Sequence, residues 1–201
     1  MSVNYIVQAE VVDICSDTPK QDDLFLVDSN VWYWYSYTNA SRSALAYQIT
    51  DYPSYLAQAI STESLLLYCG LSLAELAHQI EQTERVIFSP TLKPKEYRHN
   101  YPVERTKVVT EVETAWSQVI SIAACTEIIV DETTTNTSRR RFQTHPLDGY
   151  DLLILEAMDK AGVKQIITDD SDYLTVSGIQ VFTANHNAIS AARRNGKLLV
   201  R

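Results

Sequence analysis

The chain predicts a three-layer α/β/α domain built on a mainly parallel sheet of about five strands. Three observations carry that expectation. Short apolar runs recur at LFLVD (24–28), SLLLYCG (64–70), EIIV (127–130), KQIITDD (164–170) and IQVFTAN (179–185). Each is continuous rather than alternating, which suits strands covered by helices on both faces. Between them lie longer segments with helical periodicity, and strand–helix alternation with right-handed crossovers gives a parallel sheet. Several of the runs also end at an acidic residue.

In chain order, residues 3–15 are rich in Val and Ile and predict a strand ahead of the main domain, closed by the polar turn SDTPKQDD. LFLVD is the first buried strand, and Ser29 or Asn30 supplies a cap for the helix after it. Pro53 in a first turn opens a helix reaching about Thr62, ahead of the strand 64–70. Residues 72–84 form a helix with Leu73, Leu76, Ala77 and Ile80 on one face. Three prolines mark 89–102 as a connection, and 103–124 is a long amphipathic helix. EIIV is the third strand, and the polar stretch 131–146 is a loop. Residues 148–162 form a helix capped by Gly162. The strand 164–170, a helical turn at DYLTV and the strand 179–185 complete the core, leaving 186–201 as a basic tail or a last short element.

Composition narrows the function. A net charge of −8 argues against a protein that coats nucleic acid through a broad basic surface. The charge is uneven, however: residues 1–88 carry three Lys/Arg against eleven Asp/Glu, whereas 186–201 carry four Lys/Arg and no acid. Cys15, Cys69 and Cys125 are odd in number and set among apolar residues, so they read as reduced core thiols in a cytoplasmic protein. No secretory signal and no membrane-length apolar window is present.

The acids hold the chemistry. Asp28, Glu75, Asp151 and Asp170 each fall where a strand gives way to a helix, with Asp148 and Asp172 beside them. Taken singly, each has a simpler reading as a helix cap; Glu75 follows Ser72 at capping-box spacing, and Asp148 and Asp151 share a D-x-x-D relation. Taken together, they reach one edge of a parallel sheet, where all strand carboxyl ends lie. So many carboxylates repel one another unless a cation compensates. The set therefore suits Mg²⁺ or Mn²⁺, the usual apparatus for cutting phosphodiesters at neutral pH.

VDSN (27–30), LSLAEL (71–76) and YDLLILEAMDKAGVKQIITDDSDYL (150–174) together resemble the PIN domain, the nuclease fold of VapC-type toxins and of several RNA-processing factors. Asp28-Ser29-Asn30 matches the family's first acid, Glu75 its second, Asp151 with Ile154 and Ala157 its third, and Thr168, Asp170, Asp172 and Tyr173 its fourth block. Tyr173 stands where the family usually has phenylalanine. The resemblance covers roughly 24–35, 64–82 and 148–185. It frames 1–22 as an N-terminal extension with its added strand, 23–185 as a PIN-like nuclease domain with a helical insertion at about 89–126, and 186–201 as the tail.

The resemblance implies a Mg²⁺- or Mn²⁺-dependent endoribonuclease. Asp28, Asp151 and Asp170 would be direct ligands, Glu75 a ligand or water-positioning group, and Asp148 and Asp172 outer or second-metal residues. Ser29, Asn30 and Thr168 would support the carboxylates. RNA is then the substrate, and the toxin branch of the family implies an antitoxin partner. The extra segments leave room for a homodimer or another partner surface.

Arg139, Arg140 and Arg141 are candidate RNA contacts or a solvated charge run; Arg193, Arg194, Lys197 and Arg201 are weaker candidates. Trp32, Tyr33, Trp34, Tyr35 and Tyr37 read as core or interface packing, with base stacking the minority reading. The four histidines lack paired ligand spacing. Three alternatives stand: an inactive PIN-like module that binds RNA or protein, a haloacid-dehalogenase-type phosphatase, and a structure-specific DNA nuclease. The phosphatase chemistry needs an early D-x-D, and this chain has Asn30 in the second position.

Overall fold

A computed structural model describes residues 5–201, so the first two residues of the 3–15 expectation lie outside the described residues. The strands are β1 (Glu10–Asp13), β2 (Leu24–Val27), β3 (Leu65–Cys69), β4 (Ala124–Thr126), β5 (Gln165–Ile167), β6 (Gln180–Thr183) and β7 (Leu198–Leu199). They form one sheet in the order β4-β3-β2-β5-β6-β1-β7, and every adjacent pair is parallel. The helices are α1 (Ser29–Ser36), α2 (Ala46–Ser61), α3 (Ser72–Phe88), α4 (Pro94–Asn100), α5 (Pro102–Ile122), α6 (Glu132–Phe142), α7 (Gly149–Ala161) and α8 (His186–Arg194).

The side-chain alternation of the strands divides the core into two faces. Phe25, Val27, Leu66, Ile167 and Phe182 point to one face, where Trp32, Tyr55, Leu56, Leu76, Ile80 and Val119 from α1, α2, α3 and α5 cover them. Leu26, Leu67, Ile166 and Val181 point to the other, under Leu155, Met158 and Ala192 from α7 and α8. This is the predicted three-layer α/β/α arrangement. The sheet is larger than five strands because β1 pairs with β6 and carries β7 on its outer side.

Chain direction places the site. From β2 the chain steps through β3 to β4 at one edge, then returns to lay β5 against the other side of β2. The order reverses between β2 and β5, and a crevice forms at such a switch point beyond the strand carboxyl ends.

Four local expectations are corrected. Residues 131–146 do not form a loop, since Glu132–Phe142 is helical. Asp131 caps α6 through the Thr134 N–H, Lys160 donates to the Thr134 hydroxyl, and Arg141 binds Glu156 and Asp159 of α7. Tertiary contacts thus hold a segment whose Thr-rich composition favours helix only weakly. The third strand is 124–126 rather than 127–130; β4 ends as Thr126 donates to the Tyr68 carbonyl, and Ile129 and Val130 are exposed. Pro53 lies inside α2 rather than in its first turn. The helix begins at Ala46, where Gln48 accepts from the Leu45 N–H, and burial of Tyr52, Tyr55 and Leu56 offsets the backbone bond Pro53 cannot make.

The fourth concerns 186–201, where the basic-tail alternative gives way to the last structured element, since the segment forms α8 and β7. Arg201, 9% exposed at its side chain, pairs with buried Asp17 and Asp23 and lies over the Phe182 ring. Arg201→Ala would leave both carboxylates buried without their cation. A loss of about 3 kcal/mol in urea unfolding is expected. Cys15 and Cys125 are also exposed; only Cys69 is a core thiol.

The 89–126 segment comprises α4, α5 and the edge strand β4, so its last residues belong to the sheet rather than to an insertion; buried Glu81 ties its helices to α3 by accepting from both Arg98 and Arg105. Those two arginines are therefore occupied within the fold. No helix among the described residues is long and apolar enough to cross a membrane.

Candidate functional site: a carboxylate crevice at the switch point

Asp28 directly follows β2 and is 3% exposed. Four side-chain and backbone donors surround it. Its Oδ1 accepts from the Ser29 N–H at 2.7 Å, and its Oδ2 accepts from Asn30 Nδ2 at 2.7 Å and Thr168 Oγ1 at 2.6 Å. Ser29 Oγ lies 3.2 Å from Asp28 Oδ1 and 2.6 Å from Glu75 Oε2, so one hydroxyl proton serves two carboxylates. Thr168, fully buried after β5, also accepts the Asp170 N–H at 2.9 Å, which turns its proton toward Asp28. Ser29, Asn30 and Thr168 thus support the carboxylates, and the Thr168 hydroxyl joins the two strand ends that flank the switch point.

Glu75 is not a capping-box residue. The N-terminus of α3 has no side-chain cap, the Ser72 hydroxyl is buried without a partner, and Glu75 reaches Ser29 on α1. Asp148 is a cap: its Oδ1 accepts from the N–H groups of Tyr150 and Asp151 at 2.9 and 3.2 Å. That cap aims Asp151, one turn into α7, toward the sheet, where it is 6% exposed and accepts from the Tyr173 hydroxyl at 3.0 Å. Asp170 caps the 3₁₀ turn Ser171–Thr175 by accepting the Asp172 N–H at 2.8 Å.

The six acids share one electrostatic environment. Burial pushes Asp28 up to about 6, with Asp170 adding to the shift. Burial pushes Glu75 up to about 7 and Asp151 to about 8; Asp28, Asp148 and Asp170 raise both further. Asp170 and Asp172 are raised as well, by burial first and by Asp148 in each case. Among the described residues, none of the six is ion-paired to Lys, Arg or His. The site is a concentration of carboxyl groups relieved, among the described residues, by hydrogen bonding and by retained protons.

The donor set fits a hard divalent cation. It is all oxygen, and the buried Asn30 Oδ1 has no hydrogen-bond partner among the described residues. As the side chains stand, no three His, Cys, Asp or Glu among the described residues are grouped to hold one ion. The carboxylates of Asp28, Glu75 and Asp151 are turned onto Thr168, Ser29 and Tyr173 instead.

Tyr173 gains a role that the sequence noted only as a departure from phenylalanine. Its ring is fully buried and its hydroxyl holds Asp151. A donor to a carboxylate lowers that group's pKa, so Tyr173→Phe should raise the Asp151 pKa and cost about 1 kcal/mol of stability.

Asp169 lies next to the cluster but is pinned by Tyr47, Gln48 and Tyr52, three donors from α2. Nothing in sequence spacing signals that role, because the partners lie more than 110 residues away. Of the arginine run, Arg141 is committed to Glu156 and Asp159, a correction to its candidacy for RNA; Arg139 and Arg140 are exposed. Trp32, Tyr33 and Tyr37 are buried as core packing, whereas Trp34 and Tyr35 are half-exposed.

Fold and site together define a parallel α/β protein with a cluster of carboxylates at its topological switch point. Neither the protein-family models nor the curated proteins contain a match to the chain.

Proposed function

We propose that this protein is a divalent-cation-dependent endoribonuclease of the PIN type. The observation that supports it most is the proximity of buried Asp28 and Asp151 to half-buried Glu75 and Asp170 where β2 and β5 part, with no ion pair to a cationic side chain among the described residues. Asp28, Asp151 and Asp170 would hold Mg²⁺ or Mn²⁺, with Asp148 and Asp172 at the rim. When bound, such an ion lowers the pKa of a coordinated water and offsets charge on the phosphate.

The chain's own groups supply the rest. Ser29 and Thr168 hold the carboxylates by hydrogen bonds, and the carboxylates would turn from these hydroxyls toward the ion on binding. Glu75, held by the Ser29 hydroxyl, would bind the ion or position the attacking water. The family resemblance in residues 24–35, 64–82 and 148–185 makes RNA the substrate class, and for the toxin branch it makes an antitoxin protein the partner.

The test is cleavage of labelled single-stranded RNA by wild type and Asp28→Asn, each in Mn²⁺ and in EDTA. Cleavage confined to wild type in Mn²⁺ supports the reading. Equal cleavage by the variant sinks it.

A further inference from the structure

A cavity of about 450 Å³ opens between α1, the start of α2 and α3. Helical spacing ties it to the crevice. Trp34 follows Asn30 by four residues on α1, and Gln79 follows Glu75 by four on α3, so each stands one turn, about 5.4 Å, beyond a site residue. Gln48, a third wall residue, donates to Asp169, the neighbour of Asp170.

Its chemistry is opposite to that of the crevice: no Asp or Glu lines it. Trp34 is half-buried and packs 5.2 Å from the Tyr52 ring, which fixes its plane. Gln79 is half-buried and its amide makes no hydrogen bond among the described residues, leaving a donor and an acceptor for a ligand. Arg42 at the rim is exposed and in no ion pair among the described residues. Tyr33 braces one wall through 2.8 Å hydrogen bonds to Ser43 and Thr83. An aromatic plane, a free amide and a peripheral cation, in a volume suited to a small organic group, are what a nucleobase with its phosphate requires.

We infer that this cavity binds the base of a nucleotide adjoining the scissile phosphate of single-stranded RNA, with Trp34 as stacking platform, Gln79 contacting the base edge and Arg42 facing the backbone. The inference rests on the ribonuclease reading of the neighbouring crevice. It selects Trp34 from the aromatic cluster as the member that meets substrate.

The test measures binding by the full chain, in Ca²⁺, of a six-nucleotide single-stranded RNA and of an abasic strand of the same length. Wild type should prefer the RNA. Gln79→Leu and Trp34→Leu should each weaken RNA binding about tenfold and leave the abasic strand unaffected. Gln79→Leu decides the matter if loss of the Trp34–Tyr52 contact unfolds the other variant. RNA binding unchanged in Gln79→Leu overturns the inference, including the case in which a protein segment occupies the cavity. Base-dependent binding lost in the variants without any Mn²⁺-dependent cleavage by wild type keeps the subsite and removes the nuclease. Cleavage with unchanged KM in Gln79→Leu does the reverse.

Discussion

Asp28→Asn is expected to lower Mn²⁺-dependent RNA cleavage on the order of a thousandfold, about 4 kcal/mol of transition-state stabilisation. Asp28 is the carboxylate at which the two strand ends meet, through Thr168 on β5 and Ser29 and Asn30 on α1. The substitution removes a charge but keeps the side-chain volume, so packing around Val27 and Ile167 is undisturbed. Its effect on stability should be small, because two terms oppose. An amide oxygen in the Oδ2 place still accepts from Thr168 and Asn30, but the NH2 in the Oδ1 place cannot accept the Ser29 N–H; against this loss, the change removes a buried negative charge from beside Asp151 and Asp170. An unchanged circular dichroism spectrum with cleavage lost separates chemistry from folding. A thermal midpoint lowered by more than about 10 °C would show Asp28 to be chiefly structural.

The second large effect is on stability against pH in the cation-free protein. Asp28, Glu75 and Asp151 are pushed to about 6, 7 and 8, whereas unfolded carboxyls ionise near 4. The folded state therefore holds protons that the unfolded state releases. The stability linked to these groups is fully present below about pH 4 and is lost as pH rises through 6 to 8. Asp23 runs the other way: Arg201, Gln165 and the Lys20 N–H hold it below the usual range despite its burial, so its contribution is lost on acidification. A stability maximum at mildly acidic pH follows. In EDTA, stability should fall by on the order of 4 kcal/mol between pH 5 and 8.5, about 10 °C in thermal midpoint. Mn²⁺ should recover most of that fall at pH 8, and Asp151→Asn should flatten the profile. A midpoint constant over this range in EDTA would refute an uncompensated carboxylate cluster.

The parts legible in the sequence were those carried by short-range pattern. Continuous apolar runs such as LFLVD and KQIITDD can only be covered on both faces, so the layers follow from them. Acids at the ends of such runs must emerge at the strand carboxyl edge, so chain pattern alone puts Asp28 and Asp170 there. Where pattern was weak, reading failed: α6 has no apolar periodicity and is held by Arg141, Lys160 and Asp131. The basic residues near 201 gave a tail by composition alone, yet Arg201 lies in a buried pair with partners 178 and 184 residues away.

The acids divide on the same line. By itself the sequence determined that strands 24–27 and 165–167 end in carboxylates and that helices after the other strands begin with them, because periodicity and chain direction are local properties. Only the tertiary structure decided what each acid does. Pairing β5 against β2 makes Thr168 reach Asp28, packing α1 beside α3 makes Glu75 a partner of Ser29 rather than a cap, and burying Tyr173 gives Asp151 its hydrogen bond. Those contacts, and the burial that raises the carboxyl pKa values, depend on groups 22 to 140 residues apart meeting in a low-dielectric crevice. No spacing along the chain encodes that meeting.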